Sequence, residues 1–253
     1  MYAEIKVENS FCRAAEQVAG VLFFCARFTK MAPITLYTTR RTPAGRAVEI
    51  TAKMIGVELE VKFTDLTKKE HLTEEFLKLN PMHTVPTIVD DGVALYDSHA
   101  IIIYLVSKYA KEDNLYPKDL VTQAHINALL HFESGVLFAR LRGTLEPIFY
   151  QGCGEVPTEK LNAIHGAYDL LEGALQQSDY LVGISLTLAD ISVSTSLATL
   201  HALFPVDAQK CPKLVAYIKR LEQNIPDYAE YNSARADEAN AFFKQKLEEN
   251  KKK

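Results

Sequence analysis

The chain has 253 residues, 48% of them apolar and 24% charged, with a formal net charge of −4. That length allows one large domain or two ordinary ones, each with its own core. A mildly acidic chain without a basic stripe speaks against nucleic acid as a partner, and no apolar run reaches the roughly 18–20 residues that a membrane-spanning helix needs.

Residues 1–30 stand apart. Val18 to Phe28 is apolar, yet Glu4, Glu8 and Glu16 precede it. A secretory signal calls for a short basic start and a small-residue cleavage site, and neither is clear here. The stretch reads as an appendage of unassigned role, with Met31 opening the first domain. Cys12, Cys25, Cys153 and Cys211 are scattered, without CxxC or metal-type spacing. That favours a reducing compartment over a disulfide framework or a zinc site.

Ile34 to Thr38 predicts a short strand, ended by the polar stretch Arg40 to Gly45. From Arg46, apolar and small residues recur at helical spacing until Gly56 supplies a stop. Val57, Leu59, Val61 and Phe63 alternate with charged residues, the period of a half-buried strand. Lys68 to Leu79 predicts a short surface helix. Two apolar runs, Val85 to Val89 and Val93 to Tyr96, are joined through Asp91-Gly92 and predict a hairpin. Asp97-Ser98 then caps an apolar helix through Tyr109. The order β-α-β-α-β-β-α is that of a thioredoxin-like α/β domain.

After the polar stretch Lys111 to Lys118 the pattern is helical to the end. Val121 to Tyr150 predicts one long helix bent at Pro147, and Thr158 to Gln177 a second. A capping-box signal, Thr187-Leu188-Ala189-Asp190, announces a third through Leu203. Pro212 to Asn224 and Ala236 to Glu249 complete an all-α half. The expected boundaries are 31–111 for the α/β domain, 112–120 for the linker and 121–253 for the helical domain.

Four local features fall in chemical order. Thr42-Pro43 opens the first helix, where a hydroxyl and a Pro make an ordinary N-cap. A helix N-terminus also favours anions, and a hydroxyl there can hold a thiolate. Because Thr42-Pro43-Ala44-Gly45 carries no sulfur, dithiol exchange is excluded. Val85-Pro86 opens a strand; with a cis bond its backbone can pair with an extended peptide. Asp97-Ser98 is a cap that also suits a ligand carboxylate and ammonium. His71 and His83 flank the same region, whereas His99 begins a helix and reads as structural. Three separated histidines make no metal motif. Together these elements describe a site for a small acidic peptide that contains a thiol, and glutathione fits each of them.

Several runs carry a resemblance: Leu36-Tyr37-Thr38, Arg46-Ala47-Val48, Leu79 to Pro86, Asp97 to Ile101, Leu115 to Lys118, His131 to Arg140 and Leu188-Ala189-Asp190. From about Met31 onward the chain resembles insect cytosolic glutathione transferases, most closely the epsilon class, which the His131 to Arg140 run favours over the delta class. The resemblance implies that His71 and His83 face the glycine carboxylate of glutathione. Val85, before a cis Pro86, would pair with the cysteinyl backbone, and Asp97 and Ser98 would take the γ-glutamyl ammonium and carboxylate. Arg142 would join the glutathione-binding residues at the border between the glutathione site and a pocket for an apolar electrophile, lined partly by Phe138, Glu146 and Tyr150. It further implies a cytoplasmic homodimer that detoxifies xenobiotics, with dehydrochlorination of organochlorine insecticides within reach, no metal, and neither membrane nor nucleic acid as partner.

One position departs from the family pattern: the activating hydroxyl before Pro is normally a serine, and here it is Thr42. Threonine keeps the donor but adds a methyl and restricts χ1, so the rotamer decides whether hydroxyl or methyl meets the sulfur. Tyr37, at the end of the first strand, is the reserve candidate. The alternatives are a weakly catalytic or non-catalytic carrier of glutathione or hydrophobic ligands, and a structural module like the transferase-like domains of translation factors and chloride-channel-like proteins.

Overall fold

The computed structural model describes residues 33–252, so the appendage 1–30 and the opening at Met31 lie outside the described residues. Strands β1 (Ile34–Thr38), β2 (Leu59–Phe63), β3 (Thr87–Asp90) and β4 (Val93–Tyr96) form one sheet in the order β2-β1-β3-β4. β1 runs parallel to β2, with Leu36 opposite Val61, and antiparallel to β3, with Leu36 opposite Ile88. β3 and β4 form the expected hairpin, whose turn places Asp91 and Gly92 at φ 48° and 80°, a region that favours Asn, Asp and Gly.

Helices α1 (Pro43–Met54) and α3 (Ser98–Tyr109) pack against each other and bury Ala47, Val48, Ile50, Ile101, Ile102 and Leu105 in one core with Ile34, Leu36 and Ile88. The segment Lys68–Leu79 is two pieces rather than one helix. A 3₁₀ turn (Glu70–Leu72) precedes α2 (Glu74–Leu79) because Thr73 between them is extended and accepts from the Phe76 amide at 3.3 Å. A threonine hydroxyl competes with helical hydrogen bonding and prefers the cap.

The helical half contains α4 (Leu120–Phe132), α5 (Ala139–Tyr150), α6 (Thr158–Ala174), α7 (Leu188–Leu203), α8 (Pro212–Asn224) and α9 (Ala234–Lys251). The long stretch 120–150 is continuous, but its departure from α geometry is a π turn at Glu133–Phe138, while Pro147 sits inside regular α5. The capping box is present: buried Asp190 accepts from the Thr187 amide at 2.9 Å and the Thr187 hydroxyl at 3.0 Å. It also accepts from the Tyr217 hydroxyl at 2.8 Å and the Leu181 amide at 2.9 Å. Burial pushes its carboxyl above the usual range.

Polar groups inside the structure bind the two halves. Arg46 on α1 is fully buried and donates to the Asn232 carbonyl and the Thr195 carbonyl, each at 2.8 Å, and to the Thr199 hydroxyl. Burial lowers its pKa to about 10, still charged at neutral pH. One turn along α1, Glu49 forms a buried ion pair with Arg235 at the start of α9. An unpaired buried charge is costly, so these contacts fix where the first turn of α1 sits against α7 and α9.

Candidate functional site

Thr42 precedes α1 with extended backbone angles (φ −75°, ψ 127°), Pro43 is the first helical residue, and the Thr42 carbonyl accepts from the Arg46 amide at 3.2 Å. The side chain makes no capping hydrogen bond. Its methyl lies toward Gly45, where a Cβ would come within 2.9 Å of Thr42 Cγ2 and 1.9 Å of Thr38 Oγ1. Only glycine fits there. With the methyl turned along α1 and the hydroxyl not committed to capping, Thr42 stays half-exposed at a helix N-terminus, the positive end of the helix dipole.

Tyr37 takes a different place. Alternation along β1 puts it on the face opposite Leu36 and Thr38, where its ring meets Phe76 edge-on at 5.9 Å and the Lys62 ammonium lies 5.7 Å from its centroid. It is Thr38, on the other face, whose hydroxyl closes on Gly45.

His71, in the 3₁₀ turn, and His83 stand with ring centroids 6.2 Å apart. His71 Nδ1 is buried and has no hydrogen-bond partner among the described residues. Burial, with a smaller contribution from His83, holds the His71 pKa below its ordinary value. A neutral imidazole beside an exposed one, with an orphan ring nitrogen, is suited to receive a carboxylate.

Asn80 builds the loop that carries His83. It is fully buried, and its amide donates to the Thr84 carbonyl (3.0 Å), the Thr84 hydroxyl (3.1 Å) and the Thr87 hydroxyl (3.0 Å) while its oxygen accepts from the Met82 amide at 2.9 Å. His83 itself has φ 46°, and its amide bonds the Asn80 carbonyl at 2.9 Å. The Val85–Pro86 bond is cis, and both residues precede β3, whose ladder with β1 ends at Thr87 opposite Tyr37. The sequence reading assigned no role to Asn80; the Asn80-Pro81 pair, a turn signal, was the available clue.

Asp97, at φ 72°, caps α3 by accepting from the amides of His99 (3.0 Å) and Ala100 (3.1 Å) through Oδ1. Ser98 is the first residue of that helix. His99, next along, reaches into the helical half: its Nε2 lies 2.7 Å from Ser192 Oγ and 3.1 Å from Glu133 Oε2, and Ser196 donates to the other Glu133 oxygen. His99 is therefore structural in the sense expected, with partners the sequence did not reveal.

On α5, Arg142 donates to Glu146 one turn along, at the exposed surface. Phe138 is half-buried against the core. Tyr150 is 74% exposed and meets Phe149 edge-on. Phe149 packs against α9, with its ring centroid 5.2 Å from that of Phe242, and Asn250 of α9 donates to the Ile148 carbonyl at 2.7 Å. Two arginines beside Thr42 complete the link: Arg40 pairs with Glu238 at 3.0 Å, and the Arg41 guanidinium lies 4.1 Å from the Phe242 centroid. Neither arginine was singled out from the sequence.

Among the described residues no group of three His, Cys, Asp or Glu side chains could hold a metal ion. Among the same residues no helix is long and apolar enough to cross a membrane.

Comparison with known proteins adds to this geometry. The family model for the glutathione S-transferase N-terminal domain matches residues 32–107, and that for the C-terminal domain matches residues 139–224. Glutathione S-transferase 1 of Manduca sexta is 40% identical over 192 residues, 75% of this chain and 88% of the relative. An epsilon-class glutathione S-transferase of the housefly, Musca domestica, superposes with a TM-score of 0.81 at 43% identity, covering 84% of this chain and 98% of that one. A glutathione transferase homolog of Drosophila mojavensis, solved with bound glutathione, gives 0.82 at 45% identity over 85% and 98% of the two chains.

Proposed function

The chain belongs to the glutathione S-transferase family, and from that premise we propose that Thr42 holds the sulfur of bound glutathione as a thiolate. The protein is a glutathione transferase. Bound glutathione supplies the sulfur nucleophile, and the chain's part is to bind it, orient it and favour the anion.

The thiol is a poor nucleophile and its unperturbed pKa is about 8.5. A hydroxyl hydrogen bond and a helix N-terminus together favour the anion by about 1–3 kcal/mol, enough to bring that pKa to neutral pH. The observation that carries the assignment is the Thr42 rotamer, with its methyl against Gly45 and its hydroxyl not used as a cap. Tyr37 is the weaker candidate because its ring is engaged by Phe76 and Lys62.

The remaining roles follow the same logic. His71 and His83 receive the glycine carboxylate, the Val85 backbone pairs with the cysteinyl unit, and Asp97 and Ser98 take the γ-glutamyl end. Arg142 borders the glutathione site and the pocket for an apolar electrophile, which Phe138, Glu146 and Tyr150 line in part, with dehydrochlorination of chlorinated insecticides as one reaction within its scope. Residues 31–111 thus serve glutathione and 121–253 the second substrate, across the linker 112–120. We place the protein in the cytoplasm as a homodimer; exposed Val93 and Tyr96 on the edge strand β4 support association with a second copy. The test is Thr42→Val, which is expected to stay on immobilised glutathione while losing conjugation of a chlorodinitrobenzene. No retention of the parent protein on glutathione would overturn the site, and full activity in Thr42→Val would overturn the role of Thr42.

A further inference from the structure

Arg41 immediately precedes Thr42, and its guanidinium carbon sits 4.1 Å from the centroid of Phe242 on α9. Phe242 in turn meets Phe149 of α5, next to Tyr150, with ring centroids 5.2 Å apart and planes tilted by 54°. A cation and two rings therefore span from the loop that carries Thr42 to the helix that carries Glu146 and Tyr150. The neighbouring carboxylate, Glu238, is bound by Arg40 through two hydrogen bonds, at 3.0 and 3.3 Å. Among the described residues Arg41 forms no ion pair within 4 Å.

A guanidinium stacked on a ring uses its face and leaves its in-plane N–H donors open. Those donors match a carboxylate or sulfonate in a two-pronged arrangement that lysine cannot reproduce. The tilted rings beside it offer an apolar, aromatic wall against which an aryl group can pack edge or face. We propose that Arg41 and Phe242 form a specificity subsite for aromatic acids, in which the ring of the second ligand lies against Phe242 and Phe149 and its anionic group meets Arg41. The inference rests on the glutathione reading of Thr42 only for the position of the subsite within the active-site cleft.

The test reads binding rather than turnover, so it stands apart from the fate of Thr42. Fluorescence titration compares 8-anilinonaphthalene-1-sulfonate with the neutral N-phenyl-1-naphthylamine, on the parent protein and on Arg41→Gln and Arg41→Lys. The ratio of sulfonate to neutral affinity is expected to fall about 10-fold in Arg41→Gln, the loss expected for one charge-assisted contact, and to recover only in part in Arg41→Lys. Added salt is expected to weaken the sulfonate and spare the neutral probe in the parent protein. Retention of each variant on immobilised glutathione reports its fold. An unchanged ratio in Arg41→Gln, or no binding of the sulfonate to the parent protein, would overturn the subsite and leave the glutathione reading intact. Failure of the parent protein to bind glutathione would sink that reading instead.

Discussion

The methyl of Thr42 and the backbone of Gly45 are in such close approach that a Cβ on residue 45 would lie 2.9 Å from that methyl and 1.9 Å from Thr38 Oγ1. In an open helix, Gly→Ala stabilises by about 1 kcal/mol. Here Gly45→Ala is expected to destabilise by about 1–3 kcal/mol, as overpacking does, and to displace Thr42 and slow conjugation. Adding Thr38→Ala removes the hydroxyl in the way and is expected to restore part of the stability. Thermal melts of the two single variants and the double variant check this; strictly additive effects would show that the two side chains do not meet.

The Glu49–Arg235 pair is buried on both sides, with side-chain exposures of 5% and 7%. Glu49→Ala leaves a buried guanidinium without its carboxylate and is expected to cost about 3–5 kcal/mol. Glu49→Leu with Arg235→Met removes both charges and is expected to cost less than either single change. Denaturant unfolding of the set measures it, and a double variant that costs as much as either single change would contradict this.

His71 is held below its ordinary pKa by burial, with His83 adding to the effect. Below about pH 6.5 the unfolded chain takes up this proton before the native state does. The stability His71 contributes is therefore complete above that pH and falls away on acidification. A bound carboxylate acts in the opposite direction by favouring imidazolium, so S-methylglutathione, which has no thiol, is expected to bind more tightly as pH falls from about 7.5 to 6. Calorimetric titration across that range tests the point. His71→Asn is expected to flatten the dependence, and an unaltered slope in that variant would contradict the role given to His71.

Asn80 ties the loop of His83 to β3 through three donated hydrogen bonds. Asn80→Ala removes these bonds and the acceptor of the Met82 amide, leaving the Thr84 carbonyl and the Thr87 hydroxyl only each other, and is expected to cost about 1–3 kcal/mol. Because the loop carries His83 and Val85, KM for glutathione is expected to rise more than kcat falls. Steady-state kinetics with glutathione as the varied substrate decides between this and a loss confined to kcat.

The legible parts of this protein are those whose cause lies within a few residues. Asp97 caps α3 from two and three residues away, the Asp91-Gly92 turn closes its hairpin, and Asp190 reaches back three residues to Thr187. The local elements assigned to the thiol-peptide site were readable as structure, because they are strand starts and helix caps. What was hidden depends on side chains brought together across the chain. Arg46 meets Asn232 at a separation of 186 residues, as Glu49 meets Arg235, and nothing local in Arg46-Ala47-Val48 distinguishes a buried arginine from a surface one. Arg41 lay in a polar loop that periodicity treats as mere connection, and its partner Phe242 in a helix read only for its apolar spacing. The π turn at Glu133–Phe138 was missed for a related reason, since residues on either side keep a helical pattern.

Whether Thr42 holds the glutathione sulfur as a thiolate is read from the pKa of the bound thiol, followed by thiolate ultraviolet absorbance in glutathione complexes of the parent protein, Thr42→Ser and Thr42→Val. The thiol pKa is expected to lie well below that of free glutathione in the parent protein and in Thr42→Ser, and to return toward the free value in Thr42→Val, with conjugation falling by about 10- to 100-fold, the worth of one hydrogen bond to a charged group. A bound thiol in Thr42→Val that ionises as readily as in the parent protein would contradict it.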